Sequence, residues 1–230
     1  MQFEALDQSL RTRRLPAFPQ MIWILIIVIS YLLGSIPSGY LVANSQGIDI
    51  RLYGSKNIGA TNVLRVMGKK WGYLVFLCDA GKGFLAVRLA ILFAQLGGID
   101  PSIAGVGAAI ACILGHNYTF WLGFKGGKGI ATSGGVVLAL FPWFIVLIVA
   151  LVWVAVFLLS RYVSLASICA AVSLPASLAL ITPWAGQNVS WVLIAFSVLA
   201  AGLAVLRHRT NINRLLSGTE SRFDKKKSES

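Results

Sequence analysis

Three polar stretches interrupt an otherwise apolar chain, and the first occupies residues 54–65 with the sequence GSKNIGATNVLR. Its hydroxyl and amide side chains, two cations and glycine-exposed N–H groups fall within one turn-rich segment. Glycine lets the backbone approach an anion, and nests and helix N-termini supply N–H donors. The alternative is a polar turn that caps a helix at Thr61 or Asn62. The stretch predicts a phosphate site with candidate ligands Ser55, Asn57, Thr61, Asn62 and Arg65.

The second stretch combines Gly115-His116-Asn117 with the loop FKGGKGIAT at residues 124–132. It looks like a P-loop, but Lys128 is followed by glycine and position 122 is leucine, so the G-x-x-x-x-G-K-[ST] pattern fails. Gly-Gly-Lys-Gly at a helix start still offers N–H donors and an ammonium group to a phosphate. A lysine loop that serves only membrane topology is the alternative. The candidate residues are His116, Lys125, Gly126, Gly127, Lys128 and Gly129.

The third stretch pairs Ser164, at the start of one apolar segment, with RHRTNINR at residues 207–214, at the end of another. His208 lies between two arginines, and like charges disfavour a protonated imidazole. A neutral imidazole can act as a base or donate a hydrogen bond. The alternative is a basic stripe that contacts anionic lipid head groups. The stretch adds Ser164, His208 and Asn211 to the candidate residues.

Several catalytic signatures are missing from the sequence. There is no G-x-S-x-G motif and no pair of acidic residues within the three stretches. Trp121 stands five residues after His116, and Asn213 stands five residues after His208, so there is no His-x4-Asp dyad. The three cysteines lie far apart in apolar segments, as buried free thiols do. A serine nucleophile, a carboxylate pair, a disulfide framework and a metal site are therefore not predicted.

The segments that carry these stretches have the composition of a membrane protein. Hydrophobic residues make up 57% of the 230 residues and charged residues 12%, whereas a soluble domain has about 25% charged residues. The net charge is +12. In a soluble chain that charge would favour nucleic-acid binding, but no polar fold remains here to carry it. Lys and Arg are instead expected in the cytoplasmic loops of a membrane protein.

Charge placement predicts the topology. Lys and Arg cluster at 51–70, 125–128, 161 and 207–227, whereas the segments at 97–101, 142 and 183–189 have none. The positive-inside rule makes the basic loops cytoplasmic, so a hairpin of two helices joins each pair of them. We predict an all-α polytopic integral membrane protein with seven transmembrane helices, the N-terminus outside and the C-terminus cytoplasmic. The spans are 21–44, 71–97, 101–117, 130–141, 143–160, 163–182 and 190–206; five spans, with 130–160 or 163–182 re-entrant, is the alternative.

The chain divides into a polar N-terminal extension (1–20), one membrane-embedded domain (21–216) and a charged cytoplasmic tail (217–230) that is expected to be disordered. Arg11, Arg13 and Arg14 fall outside the cell in this topology, against the positive-inside rule. Within the second span, Asp79 and Lys82 are one helical turn apart, and we expect them to pair.

Taken in order, the motifs resemble those of the bacterial acyl-phosphate:glycerol-3-phosphate acyltransferases, the PlsY family. The matching segments are GS-x-NIGATNV-x-R (54–65), GH…KGGKGIAT (115–132) and RH-x-x-NI-x-RL (207–215). LGSIPSGY at residues 33–40 also fits, and the resemblance covers residues 21–216. The segment at 163–164 departs from a serine-rich pattern, so only Ser164 carries over from it.

The resemblance implies the first step of membrane phospholipid biosynthesis: an acyl phosphate acylates the 1-hydroxyl of glycerol 3-phosphate, which yields lysophosphatidic acid and phosphate. It implies a seven-helix fold in the bacterial inner membrane, a site that faces the cytoplasm, and no cofactor. The implied partners are the two substrates, the bilayer and, transiently, the enzyme that supplies acyl phosphate. Because the donor is already activated, no enzyme nucleophile is needed. A transporter of a phosphate ester or lipid is the alternative function.

The resemblance also assigns roles. It places Ser55, Arg65, His208, Asn211 and one of the two lysines Lys125 and Lys128 around glycerol 3-phosphate. Thr61, Ser164 and the loop 126–129 are assigned to the acyl phosphate, and the cations and N–H donors are expected to stabilise charge in the transition state. The proton acceptor stays open among His116, His208 and a substrate phosphate.

Overall fold

The computed structural model describes residues 18–223, and the regular elements in that range are all helical. This confirms the predicted all-α class for the described range, while the predictions for residues 1–17 and 224–230 lie outside it. The helices are α1 (Phe18–Ser35), α2 (Ser38–Asn44), α3 (Ala60–Met67), α4 (Lys69–Gly97), α5 (Pro101–Asn117), α6 (Ile130–Leu140), α7 (Trp143–Ser160), α8 (Val163–Ile181), α9 (Trp191–Arg207) and α10 (Arg209–Leu216).

The helix boundaries follow local sequence signals. The predicted span 21–44 is broken at Ile36 and Pro37, because proline lacks an N–H donor and disfavours the α conformation of the residue before it. Helix α5 begins where the Asp100 side chain accepts hydrogen bonds from the N–H groups of Ser102 and Ile103. The other predicted spans each coincide with one helix to within a few residues.

Several helices of the described range could cross a membrane. By length and apolar composition these are Gln20–Asn44, Pro101–Leu122, Trp143–Ser160 and Val163–Ile181. Helices α9 and α10 add a fifth span if they are taken together, although they meet at an angle of 58°. Helices α4 and α6 are not among these candidates: α4 carries several charged residues, and α6 has only 11 residues. Among the described residues, four helices, or five if the bent pair counts as one span, are therefore long and apolar enough to cross a membrane, in agreement with an integral membrane protein.

Helix α4 lies at the centre of the bundle and contacts α1, α3, α5 and α6. Two glycines allow the close approach of α4 and α6. A Cβ atom on Gly135 would lie 1.8 Å from the Ala80 carbonyl oxygen, and one on Gly83 would lie 2.2 Å from the Thr132 carbonyl oxygen. Such small residues let membrane helices pack backbone to backbone. Their packing places the loop that precedes α6 beside α4.

Helix α7 packs mainly on α8 and lies at the edge of the bundle. Only 6% of its residues are buried, and Leu159 is 85% exposed. Apolar residues exposed on this scale are expected of a helix whose surroundings are lipid.

The first basic loop packs against the start of α4. Its buried residues Ile50, Ile58 and Val63 contact Val75 of that helix and hold the loop against the bundle.

Candidate active site

The first predicted stretch folds around the side chain of Asn62. The Asn62 Oδ1 atom accepts a hydrogen bond from the Ser55 N–H at 2.8 Å, and its Nδ2 atom donates to the carbonyls of Asn57 at 2.8 Å and Tyr53 at 3.1 Å. Both amide hydrogens are thus used within the loop. Helix α3 begins at Ala60 without a side-chain cap, so neither Thr61 nor Asn62 is its N-cap. Asn62 shapes the loop and, with Ser55, Thr61 and Arg65, lines a cavity at this end of the bundle.

The glycine loop of the second stretch is held against the end of α5. The N–H groups of Gly126 and Gly127 donate to the carbonyls of Asn117 and His116 at 3.2 and 3.1 Å. From the other side, Arg207 Nη2 donates to the Gly127 carbonyl at 2.6 Å. Gly129 adopts a φ of 79°, a conformation that favours glycine, immediately before α6 begins. The fold therefore turns Lys128 into the cavity, while Lys125 is exposed and does not line it.

The third stretch closes the cavity from α8, α9 and α10. His208 lies at the bend between α9 and α10, where its Nδ1 atom is 2.8 Å from the Ala204 carbonyl oxygen. Asn211 lies one turn further on, and its Oδ1 atom accepts a hydrogen bond from Lys128 Nζ. Ser164, at the start of α8, is also buried. These contacts join the second and third stretches directly.

Glu220 completes the site, although it lies in the segment expected to be a disordered tail. Its Oε1 atom accepts hydrogen bonds from Ser164 Oγ at 2.7 Å and Asn211 Nδ2 at 2.6 Å, and its Oε2 atom accepts one from Arg214 Nε at 2.7 Å. Phe223 lies under Arg65, whose guanidinium carbon is 4.6 Å from the ring centroid. The structured domain therefore extends beyond the expected boundary at residue 216 to Phe223, the last residue described.

The three stretches meet in one cavity of ≈ 160 Å³ at the polar-loop end of the bundle. It brings together most of the residues singled out from the sequence: Ser55, Asn57, Thr61, Asn62, Arg65, His116, Lys128, Gly129, Ser164, His208 and Asn211. Lys125, Gly126 and Gly127 do not line it. Residues that sequence analysis missed include Glu220 and the apolar wall formed by Phe76, Ile130, Trp153 and Val163.

The cavity has a basic character. The pKa of Lys128 is lowered to about 8, chiefly by burial and also by the arginines at 214, 65 and 207, while Glu220 opposes this change. Burial alone would raise the pKa of Glu220, but hydrogen bonds from Arg214, Asn211 and Ser164 outweigh it and hold that pKa below its ordinary value. Glu220 is therefore ionised at neutral pH, where the cations around the cavity still outnumber it. Such a site favours an anionic ligand.

The predicted pairing within α4 is present below this cavity. Lys82 Nζ lies 2.8 Å from Asp79 Oδ1, and both side chains are buried. His116 Nδ1 lies 3.6 Å from the same carboxylate oxygen. Asp79 and His116 line the floor of the cavity, so this buried cluster touches the site.

Comparison with known proteins identifies the family. A family model described as glycerol-3-phosphate acyltransferase matches residues 24–218. The glycerol-3-phosphate acyltransferase of Desulforamulus reducens is 48% identical over 205 residues, which cover 89% of this chain and 96% of that protein. The protein of the same name from Aquifex aeolicus is 46% identical over 198 residues, or 86% of this chain and 97% of that protein.

Solved structures agree with the sequence comparison. The crystal structure of PlsY, an integral membrane glycerol 3-phosphate acyltransferase, in its glycerol 3-phosphate form superposes with a TM-score of 0.77 at 43% identity. The match covers 88% of this chain and 96% of that one. The lysophosphatidic acid form of PlsY gives a TM-score of 0.75 at 42% identity. The chain belongs to the PlsY family of integral membrane glycerol-3-phosphate acyltransferases and is an acyltransferase.

Proposed function

We propose that the protein transfers an acyl group from acyl phosphate to the 1-hydroxyl of glycerol 3-phosphate, which gives lysophosphatidic acid and phosphate. The observation that carries this proposal is the meeting of Arg65, Lys128 and Asn211 in one basic cavity beside an apolar wall. Two substrates that each bear a phosphate need cations and hydrogen-bond donors, and an acyl chain needs apolar surface. The crystallised PlsY relatives contain glycerol 3-phosphate in one case and lysophosphatidic acid in the other.

The reaction needs no covalent enzyme intermediate. The hydroxyl oxygen of glycerol 3-phosphate forms a bond to the acyl carbon, the bond from that carbon to the phosphate oxygen breaks, and inorganic phosphate leaves with the bonding electrons. Lys128 and Arg65 hold the acceptor phosphate, and so fix the hydroxyl relative to the carbonyl. Thr61 and Ser164, which line the cavity, accommodate the acyl phosphate, and neighbouring cations stabilise the charge on the departing phosphate.

We propose His208 rather than His116 as the group that accepts the hydroxyl proton. In the neutral imidazole of His208, an Nδ1–H bond to the Ala204 carbonyl leaves the lone pair on Nε2. In His116, by contrast, Nε2 faces the backbone of Gly127: a Cβ atom on that glycine would lie 2.1 Å away. Although His116 lines the cavity, its Nδ1 atom faces Asp79 Oδ1 at 3.6 Å, so both of its ring nitrogens face other protein groups.

The acyl chain leaves the cavity along its apolar wall. Phe76 on α4 and Trp153 on α7 both line the cavity, and Phe76 is exposed at the surface of the bundle. The Trp153 indole donates to Ser167 Oγ at 3.2 Å, which fixes the ring. A chain that passes between these two rings reaches lipid on the α7 side without crossing the protein core.

We further propose seven crossings of the bacterial inner membrane, with the N-terminus outside and the site facing the cytoplasm. The basic loops at 51–70, 125–128, 161 and 207–214 lie at the same end as the cavity, in agreement with the positive-inside rule. At 1.5 Å per residue, α6 is roughly 16 Å long against a hydrocarbon core of about 30 Å. Helix α6 alone is therefore shorter than the hydrocarbon core, and Lys128, in the loop before it, lies at the cytoplasmic face with the other basic loops.

Acyl transfer by purified protein is the direct test. Protein in detergent micelles is supplied with palmitoyl phosphate and glycerol 3-phosphate, and the release of phosphate and formation of lysophosphatidic acid are followed. Lys128→Ala is expected to raise the KM for glycerol 3-phosphate at least tenfold, since charge-assisted hydrogen bonds to phosphate contribute about 1.5–3 kcal/mol. The matched control is Lys125→Ala, because Lys125 is exposed outside the cavity. If the intact protein forms no lysophosphatidic acid, the result contradicts the proposal and favours the transporter alternative. We also propose that the enzyme that makes acyl phosphate contacts this protein transiently and supplies the donor.

A further inference from the structure

A buried charged cluster links three helical elements beneath the active site. Lys82 and Asp79 lie on α4 and are 6% and 2% exposed, with 2.8 Å between Nζ and Oδ1. Lys82 Nζ also donates a hydrogen bond to the Ile36 carbonyl at 2.7 Å. That carbonyl lies at the break before Pro37, where the helical hydrogen-bond pattern between α1 and α2 is interrupted. Lys82 thus binds the carboxylate and the broken span at the same time.

His116 extends this cluster to the glycine loop. Its Nδ1 atom faces Asp79 Oδ1 at 3.6 Å, and its Nε2 atom faces Gly127 so closely that there is no room for a Cβ atom. The imidazole ring therefore lies between the carboxylate and the loop backbone. Since the Gly127 N–H also donates to the His116 carbonyl at 3.1 Å, both the ring and the backbone of this residue support the loop.

The position of Lys128 depends on that support. Lys128 directly follows Gly127 and reaches into the cavity to contact Asn211. Arg207 holds the opposite side of the loop through the Gly127 carbonyl. Movement of the His116 ring would shift the loop relative to α10, and with it the ammonium group. A displacement of about 1 Å in a group that positions substrate can reduce the reaction rate by about a hundredfold.

We propose that Asp79 and Lys82 are positioning residues for acyl transfer, which act through the His116 ring to hold the loop that presents Lys128. The inference rests on the proposed role of Lys128 in binding glycerol 3-phosphate. A buried ion pair is a poor device for stability alone, because apolar residues of similar volume stabilise a core at least as well. The Asp79 carboxylate oxygen, 3.6 Å from His116 Nδ1, instead favours one ring orientation electrostatically, which apolar contacts do not. Within a membrane-embedded bundle, buried ionisable groups are expensive, which favours a functional reason for this pair.

The decisive variant is Asp79→Leu/Lys82→Met, which replaces the whole pair with apolar side chains. We expect its unfolding temperature in micelles to lie close to that of the parent, whereas Asp79→Leu alone unfolds at a clearly lower temperature because it leaves a buried ammonium unpaired. Despite this recovery, the double variant keeps a KM for glycerol 3-phosphate raised about tenfold or more, with the KM for palmitoyl phosphate unchanged. Arg88→Met is the matched control, since Arg88 is an exposed cation of the same helix.

The kinetic pattern distinguishes positioning from mere stability. Loss of folded enzyme lowers the maximal rate with both KM values unchanged, whereas displacement of Lys128 raises the KM of the acceptor alone. A double variant with parent-like kinetics and parent-like unfolding would overturn the inference. If the double variant does not fold, His116→Gln, which leaves the pair intact, must reproduce the acceptor-specific rise; a normal acceptor KM there would also overturn it. A normal acceptor KM in Lys128→Ala would instead refute the proposed function on which the inference rests.

Discussion

The lowered pKa of Lys128 predicts a pH dependence that an ordinary lysine would not show. Burial and, to a smaller extent, the neighbouring arginines bring this pKa to about 8 against the opposing effect of Glu220, whereas an ordinary lysine has a pKa of about 10.4. Only the ammonium form binds the phosphate of glycerol 3-phosphate strongly. With a pKa of about 8, roughly nine-tenths of the free enzyme carries this charge at pH 7 and roughly one-tenth at pH 9. We therefore expect kcat/KM for glycerol 3-phosphate to fall about tenfold between pH 7 and pH 9, since this parameter reports ionisations of the free enzyme.

The assay follows phosphate release from palmitoyl phosphate at acceptor concentrations well below KM, with a blank for uncatalysed hydrolysis at each pH. The acceptor phosphate loses its second proton at about pH 6 and so contributes little to this range. Lys128→Arg supplies the control, because a guanidinium stays charged to about pH 12 and shifts the alkaline limb to higher pH. A profile that is flat to pH 10, or a limb that stays at the same pH in Lys128→Arg, would refute the reasoning.

Unfolding does not explain the expected fall. A lysine whose pKa is lowered on folding opposes folding while it is charged, and this unfavourable contribution is fully present below about pH 8. Between about pH 8 and pH 10.5 the unfolded chain binds more protons at this position than the folded chain does, so the contribution of Lys128 to stability improves as pH rises. Unfolding temperatures measured across the same buffers are therefore expected not to fall on its account.

Other contacts around the cavity give further measurable expectations. Glu220→Gln removes an ionic partner of Arg214 and is expected to lower the unfolding temperature by roughly 5 °C, as calorimetry in micelles would show; an unchanged transition would contradict this. Phe223→Leu removes the aromatic face under Arg65 and is expected to raise the KM for glycerol 3-phosphate about two- to fivefold, with no change in the acyl phosphate KM. Gly135→Val places a Cβ atom within 1.8 Å of a backbone oxygen of α4, so size-exclusion chromatography should show little monodisperse protein, and a normal yield would disprove the close packing.

The helices were predictable because their signals are local. Pro101 after Asp100, and Gly97 and Gly98 before it, mark the turn between α4 and α5, and the observed α5 is Pro101–Asn117, as expected. The break before α2 could also have been read from Pro37, but the hydropathy of residues 21–44 hid it. Hydropathy averages over a whole span, whereas a proline acts on one hydrogen bond.

The residues of the site were predictable as sets but not in their individual roles. The sequence does not distinguish Lys125 from Lys128 as the lysine that enters the cavity. In the structure, the turn at Gly129 and the contact with Asn211 identify Lys128. Asn62 was expected to bind substrate, and it does line the cavity, but its carboxamide also shapes its own loop, which the sequence did not indicate. Such distinctions depend on the direction of a side chain, which spacing along the sequence does not specify.

Glu220 shows most clearly what local patterns miss. It lies 56 residues beyond Ser164 in a polar segment, and nothing in its neighbourhood along the chain suggests a role. In the folded protein its single carboxylate lies among Lys128, Arg65, Arg207 and Arg214, whose mutual repulsion would otherwise oppose their convergence. One internal anion allows several cations to be held together while the cavity stays basic enough to bind phosphate. The charge needed for binding and the charge needed for folding are therefore set by the same five side chains, so neutralising Glu220 is expected to weaken the fold even though it makes the cavity more positive.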